Sequence, residues 1–439
     1  MESLSEFLQR EPNYDEIATM RTRNAVKAWD GSPHPHGMLI EGGQGPYLKG
    51  KIKREGVVMD VADVVDAHGQ ILCNAAGYGN PEIEAARALA RGTGMDALSG
   101  NFNSAILEWA REALLQSLGD WRNRYKLLFT ASGTEGNDMA RRSAYSLGGG
   151  FSHILNLLKG YSGSGFAASA ACGNPGWRGK STPNIPGFQL IDSTREDLDR
   201  VLMYGIPKGQ SVSAMFEAGR YGVGGFYDIP DDFLRKMAEE VRKRGGGAYP
   251  DEVQTGVGRN GKALWNSKVV FDGMEPPEGI VFAKSIGGGH RGAGLFLRDD
   301  VAEKADGLTY HTFGSNLEDV AAMGTVIQMA ERDNWTANAA ARGAQLKKGF
   351  EEIVKPRASF GFTTHGESGL MFATELDTPA RVNAVLRRAP LDGWVCGKGG
   401  VDGRVLRIAP PINVSEAVIA ELIEKAAETF ASDEVAKAA

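Results

Sequence analysis

Apolar and polar positions along this chain follow two rhythms. Short apolar runs of strand length stand at YKLLFT (125–130), HILNLL (153–158), GFQLID (187–192), SVSAMFEA (211–218), GIVFAK (279–284) and GAGLFLRD (292–299). Between them lie stretches with helical spacing: ILEWAREALLQSL (106–118), GTEGNDMARRSAYSL (133–147), TREDLDRVLMY (194–204) and the strongly amphipathic DDFLRKMAEEVRKR (231–244). Strands that alternate with helices predict an α/β domain with a mostly parallel sheet and helices on both faces. From about residue 320 the texture turns helical with a few short strands, from DVAAMGTVIQMAERD to EAVIAELIEKAAETFA, and predicts a smaller second domain. Upstream, residues 1 to about 60 are expected to hold one helix and a loop-rich segment, DGSPHPHGMLIEGGQGPYLKG.

Composition narrows the class. At 439 residues the chain is too long for one ordinary core. Its 42% hydrophobic and 24% charged residues are those of a soluble globular protein. A net charge of -6 argues against a nucleic-acid binder that neutralises phosphates. No apolar run is long enough to span a bilayer, so no membrane partner is expected. The first residues, MESLSEFLQREPNYDE, are acidic and polar, unlike a signal peptide, and a cytoplasmic location is expected. Cys73, Cys172 and Cys396 are far apart and form neither a disulfide framework nor a zinc spacing. His34 and His36 stand beside prolines without acidic or cysteine partners, so no metal site is expected. The 58 glycines are spread through loops such as SIGGGHRGAG, which suits tight turns where backbone approaches a ligand.

In open α/β sheets, ligands bind beyond the carboxyl ends of the strands. After YKLLFT comes ASGTEGN. There Ser132, Gly133 and Thr134 either form an ordinary helix cap or offer N–H groups, a helix dipole and hydroxyls to a phosphate. After the apolar positions at 247–250 come Asp251 and Glu252. Such a carboxylate serves a salt bridge, a turn or a ligand. After GIVFA comes Lys284, where burying an ammonium is costly. A desolvated lysine loses its proton more easily, as a Schiff-base former must. A phosphate cup, a carboxylate and a desolvated lysine at strand ends are together what pyridoxal 5'-phosphate requires.

The motifs SGTEGN, DEVQTGVGRNGK, AKSIGGG, HTFGSN and LRIAPP, in that order over roughly residues 35 to 430, carry a family likeness. The chain resembles the class-III aminotransferases, pyridoxal-phosphate (PLP) enzymes of the aspartate-aminotransferase fold. That family includes ornithine, acetylornithine and ω-amino-acid aminotransferases and glutamate-1-semialdehyde aminomutase. The resemblance implies an N-terminal segment (1–75) joining the small domain, a large PLP-binding domain (76–322) and a C-terminal α+β domain (323–439). It implies that Asp251 partners the pyridine nitrogen and that Gln254 touches the 3-hydroxyl. Lys284 resembles the Schiff-base lysine that also moves the proton between Cα and C4′. Ser132, Gly133 and Thr134 resemble the phosphate cup, and Tyr161 the aromatic that stacks on the ring. Glu217 matches the first acid of the family's EPIQGEGG, and Val253 falls within the cofactor motif. Thr312 resembles a threonine that reaches the phosphate of a neighbouring subunit, which implies a homodimer with shared active sites. Arg407 resembles an arginine that binds a substrate carboxylate. Glu252 is expected to be structural.

Several positions depart from the family. Ser162 replaces the usual histidine after Tyr161. EPIQGEGG becomes EAGRYGVGG, with Gly222 or Val223 where relatives carry a second acid that pairs with the arginine. Without that acid, Arg407 is expected to stay available for the carboxylate of an acidic or α-amino acid donor; the alternative reader is Arg220. His290 and Arg291 replace an apolar residue and proline, and either bind a substrate anion or face solvent at a dimer rim. Pro250 is awkward in a central strand. The expected reaction is transfer of an amino group from an amino acid or amine to a keto acid or aldehyde. An aminomutase, racemase or decarboxylase on the same fold, or a non-catalytic relative, is the alternative.

Overall fold

The computed structural model describes residues 3–10, 12–24, 38–98, 102–174, 177–178, 182–305, 311–366 and 368–438. His34 and His36 lie outside the described residues. The N-terminal strands are β1 (Met38–Gln44), β2 (Tyr47–Arg54) and β3 (Val57–Asp66). Next come β4 (Tyr125–Thr130), β5 (His153–Leu157), β6 (Phe188–Ile191), β7 (Val212–Glu217), β8 (Ala248–Asp251), β9 (Gly279–Ala283) and β10 (Ala293–Arg298). The C-terminal strands are β11 (Phe362–His365), β12 (Phe372–Leu376), β13 (Trp394–Val395), β14 (Gly397–Gly399) and β15 (Val405–Ile408).

Strands β4 to β10 form one sheet in the order β4-β10-β9-β8-β7-β5-β6. It is mostly parallel, with β10 antiparallel to both β4 and β9. Every residue of β7 and β9 is buried. Both faces are therefore covered, which explains why these strands read as unbroken apolar runs. The helix Asp231–Lys243 buries Phe233, Leu234, Met237, Ala238 and Val241, the stripe its sequence announced. The helix from Arg195 ends at Arg200 and continues as one π turn over Val201–Gly205.

Two expectations need adjustment. The N-terminal part holds two helices, Leu4–Gln9 and Tyr14–Asn24, and then three antiparallel strands, where one helix and a loop were expected. The inward positions of β2 are Leu48, Gly50 and Ile52, so a glycine interrupts the apolar face and hides the strand. Pro250 does sit in the sheet. It is tolerated because β8 is short and meets β9 at the single pair Asp251–Val281. On its other side β8 pairs with β7 from Ala248 to Asp251.

The chain's ends meet: β3 pairs in parallel with β13. Beyond it, β11-β12-β15-β14 form a separate antiparallel sheet that carries Arg407 on β15. No helix among the described residues is long and apolar enough to cross a membrane.

Candidate active site

Three neighbouring strands end together. Glu217 is the last residue of β7, Asp251 the last of β8, and Lys284 follows β9. Register places Glu217 opposite Asp251, and Asp251 opposite Val281. Across the sheet β4 ends at Thr130, and Ser132 starts the helix Gly133–Leu147. These ends open on one cavity of about 640 Å³. Its wall includes Ser132, Gly133, Thr134, Tyr161, Glu217, Asp251, Val253, Gln254, Lys284 and Arg407. Thr312 is exposed and does not line this chain's cavity.

The helix start is capped by its own serine and keeps first-turn N–H groups available. The Ser132 hydroxyl accepts a hydrogen bond from Glu135 N at 3.3 Å, so it caps the helix. Gly133 and Thr134 are first-turn residues, whose N–H groups have no intrahelical acceptor and suit an anion. A β-carbon on Gly133 would come within 2.8 Å of Val253 Cγ2, so only glycine lets the helix start approach the 251–254 loop this closely.

Asp251 is fully enclosed. Its Oδ2 accepts from Asn137 Nδ2 at 2.8 Å and its Oδ1 from Val253 N at 2.8 Å. Burial pushes its carboxyl up, opposed by the Asn137 and Val253 hydrogen bonds and the Lys284 charge. Burial raises Glu217 to about 8, helped by the neighbouring Asp251. Its oxygens accept from Gly222 N at 2.7 Å and Tyr161 N at 3.3 Å. Burial also lowers the Lys284 ammonium, against the pull of Asp251 and Glu217. Lys284 has φ 53°, a left-handed conformation costing a residue with a side chain about 1–3 kcal/mol. Glu252 points away from the cavity. It accepts from Thr255 Oγ1 (2.6 Å), Ser267 N (2.5 Å) and Ser267 Oγ (2.7 Å), a structural role.

Arg407 crosses the cavity wall from β15, 6% exposed. Its Nε donates to Lys398 O at 3.0 Å, while Nη1 has no partner among the described residues. Burial lowers it to about 10, with Glu217 opposing.

Arg220, expected as an alternative anion reader, is turned away from the cavity. It is 1% exposed, and it donates to Asp228 Oδ1 and Ser368 O, each at 2.6 Å. That ties its loop to the C-terminal part. His290 and Arg291 do line the cavity, at its rim, and each is held by an acid: Glu84 at 3.0 Å and Asp319 at 3.1 Å.

Sequence reasoning missed several wall residues. Asn137 was within reach of it, since it lies four residues after Gly133 and so on the same helix face. Trp177 packs edge-on against Tyr161, with ring centroids 5.3 Å apart. Gln70 and Ile71 enter on a left-handed turn, Gly69 to Leu72, with φ of 58°, 48°, 60° and 68°. Asp66 Oδ1 holds that turn by accepting from His68 N (3.0 Å) and Gly69 N (2.9 Å), and Ser285 Oγ donates to Leu72 O (2.9 Å). Nothing in the local sequence announces three non-glycine residues in this conformation.

The residues present fit the cofactor. Asp251 is a buried acid with no ion pair among the described residues, and a protonated ring nitrogen would supply the missing cation. The buried oxygens Asn137 Oδ1 and Gln254 Oε1 have no partner among the described residues. The helix start borders the same cavity with first-turn N–H groups that have no intrahelical acceptor. These features define an enzyme that uses pyridoxal 5'-phosphate.

The chain belongs to the class-III aminotransferases, whose family model matches residues 48–430. It is 29% identical over 356 residues to acetylornithine aminotransferase 2 of Bordetella parapertussis, covering 80% of this chain and 86% of that protein. The ornithine aminotransferase of Toxoplasma gondii superposes with a TM-score of 0.82 at 19% identity, over 98% of each chain. A phospholyase from Arthrobacter superposes with a TM-score of 0.78 at 21% identity, over 95% of this chain and 99% of that one. At such identities the superpositions establish the fold alone. Family and relatives together make this protein a PLP-dependent aminotransferase.

Proposed function

We propose that this aminotransferase takes its amino group from an α-amino acid whose carboxylate meets Arg407, and that Lys284 carries the covalent link to the cofactor. One observation supports this above the rest: a buried, charged Arg407 with a free Nη1 faces the same cavity as Lys284. When bound, the cofactor supplies an electron sink for the charge that develops at the donor Cα as its proton leaves. Asp251, held by Asn137 and Val253 N, keeps the ring nitrogen protonated. The helix start at Ser132, Gly133 and Thr134 would hold the phosphate, and Tyr161 and Val253 would enclose the ring. Gln254 would bind the ring hydroxyl through its amide. Lys284 would hold the cofactor through its side-chain amine. Once free and neutral, it takes the proton from Cα and delivers it to C4′, a task that its lowered proton affinity suits. Overall, the donor would leave as its keto acid, and the keto acid or aldehyde acceptor would leave carrying the amino group.

Thr312, exposed on this chain, reaches the phosphate of a second copy. Exposed Leu89, Met95, Phe102 and Phe313 support a homodimer, because the bridge Ala97–Asn316 draws their segments together. Three free cysteines suit a reducing compartment, the cytoplasm. The test is an absorbance spectrum of the purified protein with single donors added. A yellow protein bleached by one α-amino acid supports this reading. A yellow protein that no donor bleaches points instead to a mutase, racemase or decarboxylase.

A further inference from the structure

Glu217 closes β7 as a buried acid with no ion pair among the described residues. Beside the main cavity lies a second one of about 10 Å³, the room of about one water molecule. Its wall includes Asn137, Asn156, Ser162, Glu217 and Asp251, and all of these except Asn156 also line the main cavity. Ser162 stands there where relatives carry a histidine. On β5, Asn156 pairs with Met215 of β7, which places its side chain on the same face of the sheet as Glu217, two residues later. Glu217 in turn lies opposite Asp251.

Two acceptors in the wall of the small cavity lack donors. Asn137 Oδ1 and Asn156 Oδ1 are buried with no partner among the described residues. Neither amide can turn to cure this. Asn137 Nδ2 donates to Asp251 Oδ2 at 2.8 Å and to Ser162 O at 3.1 Å, and Asn156 Nδ2 donates to Ile154 O at 3.2 Å. A water has two O–H groups and serves both oxygens at once. With both hydrogens engaged, it can only accept from a third neighbour. An ionised carboxylate has no proton to give it, and a protonated one has.

Two adjacent buried acids oppose each other's charge, so one of them keeps its proton. Asp251 meets two donors at 2.8 Å, whereas Glu217 has one at 2.7 Å and a longer one at 3.3 Å. Burial and then Asp251 push the Glu217 carboxyl up, to about 8. Lys284 after β9 and Arg407 on β15 pull the other way, and Arg141 faces Asp251 from the helix Gly133–Leu147. The Cys172 thiol and the Tyr221 hydroxyl, also near Glu217, are kept neutral by burial.

Resting on the reading of Asp251 as the partner of the ring nitrogen, we propose that the small cavity is a binding site for one water, and that Glu217 is a positioning residue that stays protonated and donates to it. The acid pair then carries a single negative charge, and that charge stays on Asp251, where the ring nitrogen needs it. Ionising Glu217 would put a second negative charge beside Asp251 and alter the field at the ring.

Infrared difference spectra of wild type minus Glu217→Gln, without cofactor, test the proton. The C=O band of a protonated carboxyl is expected at pH ~6, giving way to carboxylate bands around a midpoint of about 8. Carboxylate bands already present at pH ~6 overturn the proposal. With PLP loaded, the cofactor absorbance of wild type should pass through an alkaline transition that Glu217→Gln lacks, a change that a merely structural residue would not make. The same transition in both proteins overturns the proposal. If Glu217→Gln fails to fold, a neutron structure of wild type decides. Deuterium on Glu217 and one water pointing its two deuterons at Asn137 Oδ1 and Asn156 Oδ1 are expected; a bare carboxylate or a dry cavity overturns the proposal. Protein that binds no PLP sinks the cofactor reading, while the infrared and neutron results still judge the proton and the water.

Discussion

The cavity has two halves built on different principles. The half proposed for the cofactor is made at the ends of adjacent strands in one sheet: Glu217 and Asp251 close β7 and β8, and Lys284 follows β9. Each residue lies inside a short contiguous motif, and the sheet register brings the motifs together. The half proposed for the substrate is gathered from places far apart in the chain. It takes Gln70 and Ile71 from a left-handed turn, Trp177 from a loop, and Arg407 from a second sheet. Reactive chemistry is thus encoded locally, and selectivity in tertiary placement.

If that division is real, variants in the two halves should fail in different ways. The largest effect belongs to Lys284→Ala. Losing both the covalent link and the proton carrier should lower kcat by about 10⁴-fold or more, measured by steady-state assay. Arg407→Ala comes next. It should lower kcat/KM for α-amino acids by roughly 10- to 150-fold, the worth of a hydrogen bond to a charged group, and leave the cofactor spectrum alone. Loss of cofactor binding in Arg407→Ala would dissolve the distinction between the halves.

A smaller effect tests the support beneath Asp251. Asn137→Ala removes the 2.8 Å bond to Asp251 and should cut kcat about tenfold. It should also shift the pH profile of cofactor absorbance, which a purely structural residue would not do.

The smallest effect on activity should come from Glu252→Gln, next in sequence to Asp251 but outside the cavity. Burial raises the Glu252 carboxyl from the ordinary 4.5 to about 7. In that window the folded state binds more protons than the unfolded one, so stability falls as pH rises through it. Urea midpoints at pH ~5 and ~8 should show a loss in wild type that is smaller in Glu252→Gln by up to roughly 3 kcal/mol. Activity should stay within about twofold.

The same division explains what could be read from the sequence. Six of the central strands stood out as apolar runs because the sheet is covered on both faces, and their end residues could be located from them. β8 was harder to recognise, since Pro250 interrupts its four residues. The N-terminal strands were missed because their inward positions include a glycine and their outward ones are charged or exposed. Arg220 was misplaced for a related reason. A glycine-rich loop does not reveal which way its side chains turn, and Arg220 turns to Asp228 and Ser368. Gln70 and Ile71 reach the cavity only through a backbone conformation that Asp66 and Ser285 impose from outside the turn.

Everything proposed for the cavity turns on Lys284, strained and desolvated after β9, as the residue that holds the cofactor. The most direct measurement is to reduce the PLP-loaded protein with borohydride, digest it and locate the pyridoxyl group by mass spectrometry. The label is expected on the peptide containing Lys284 and nowhere else. A label on another lysine, or none on a protein that has bound the cofactor, would contradict it.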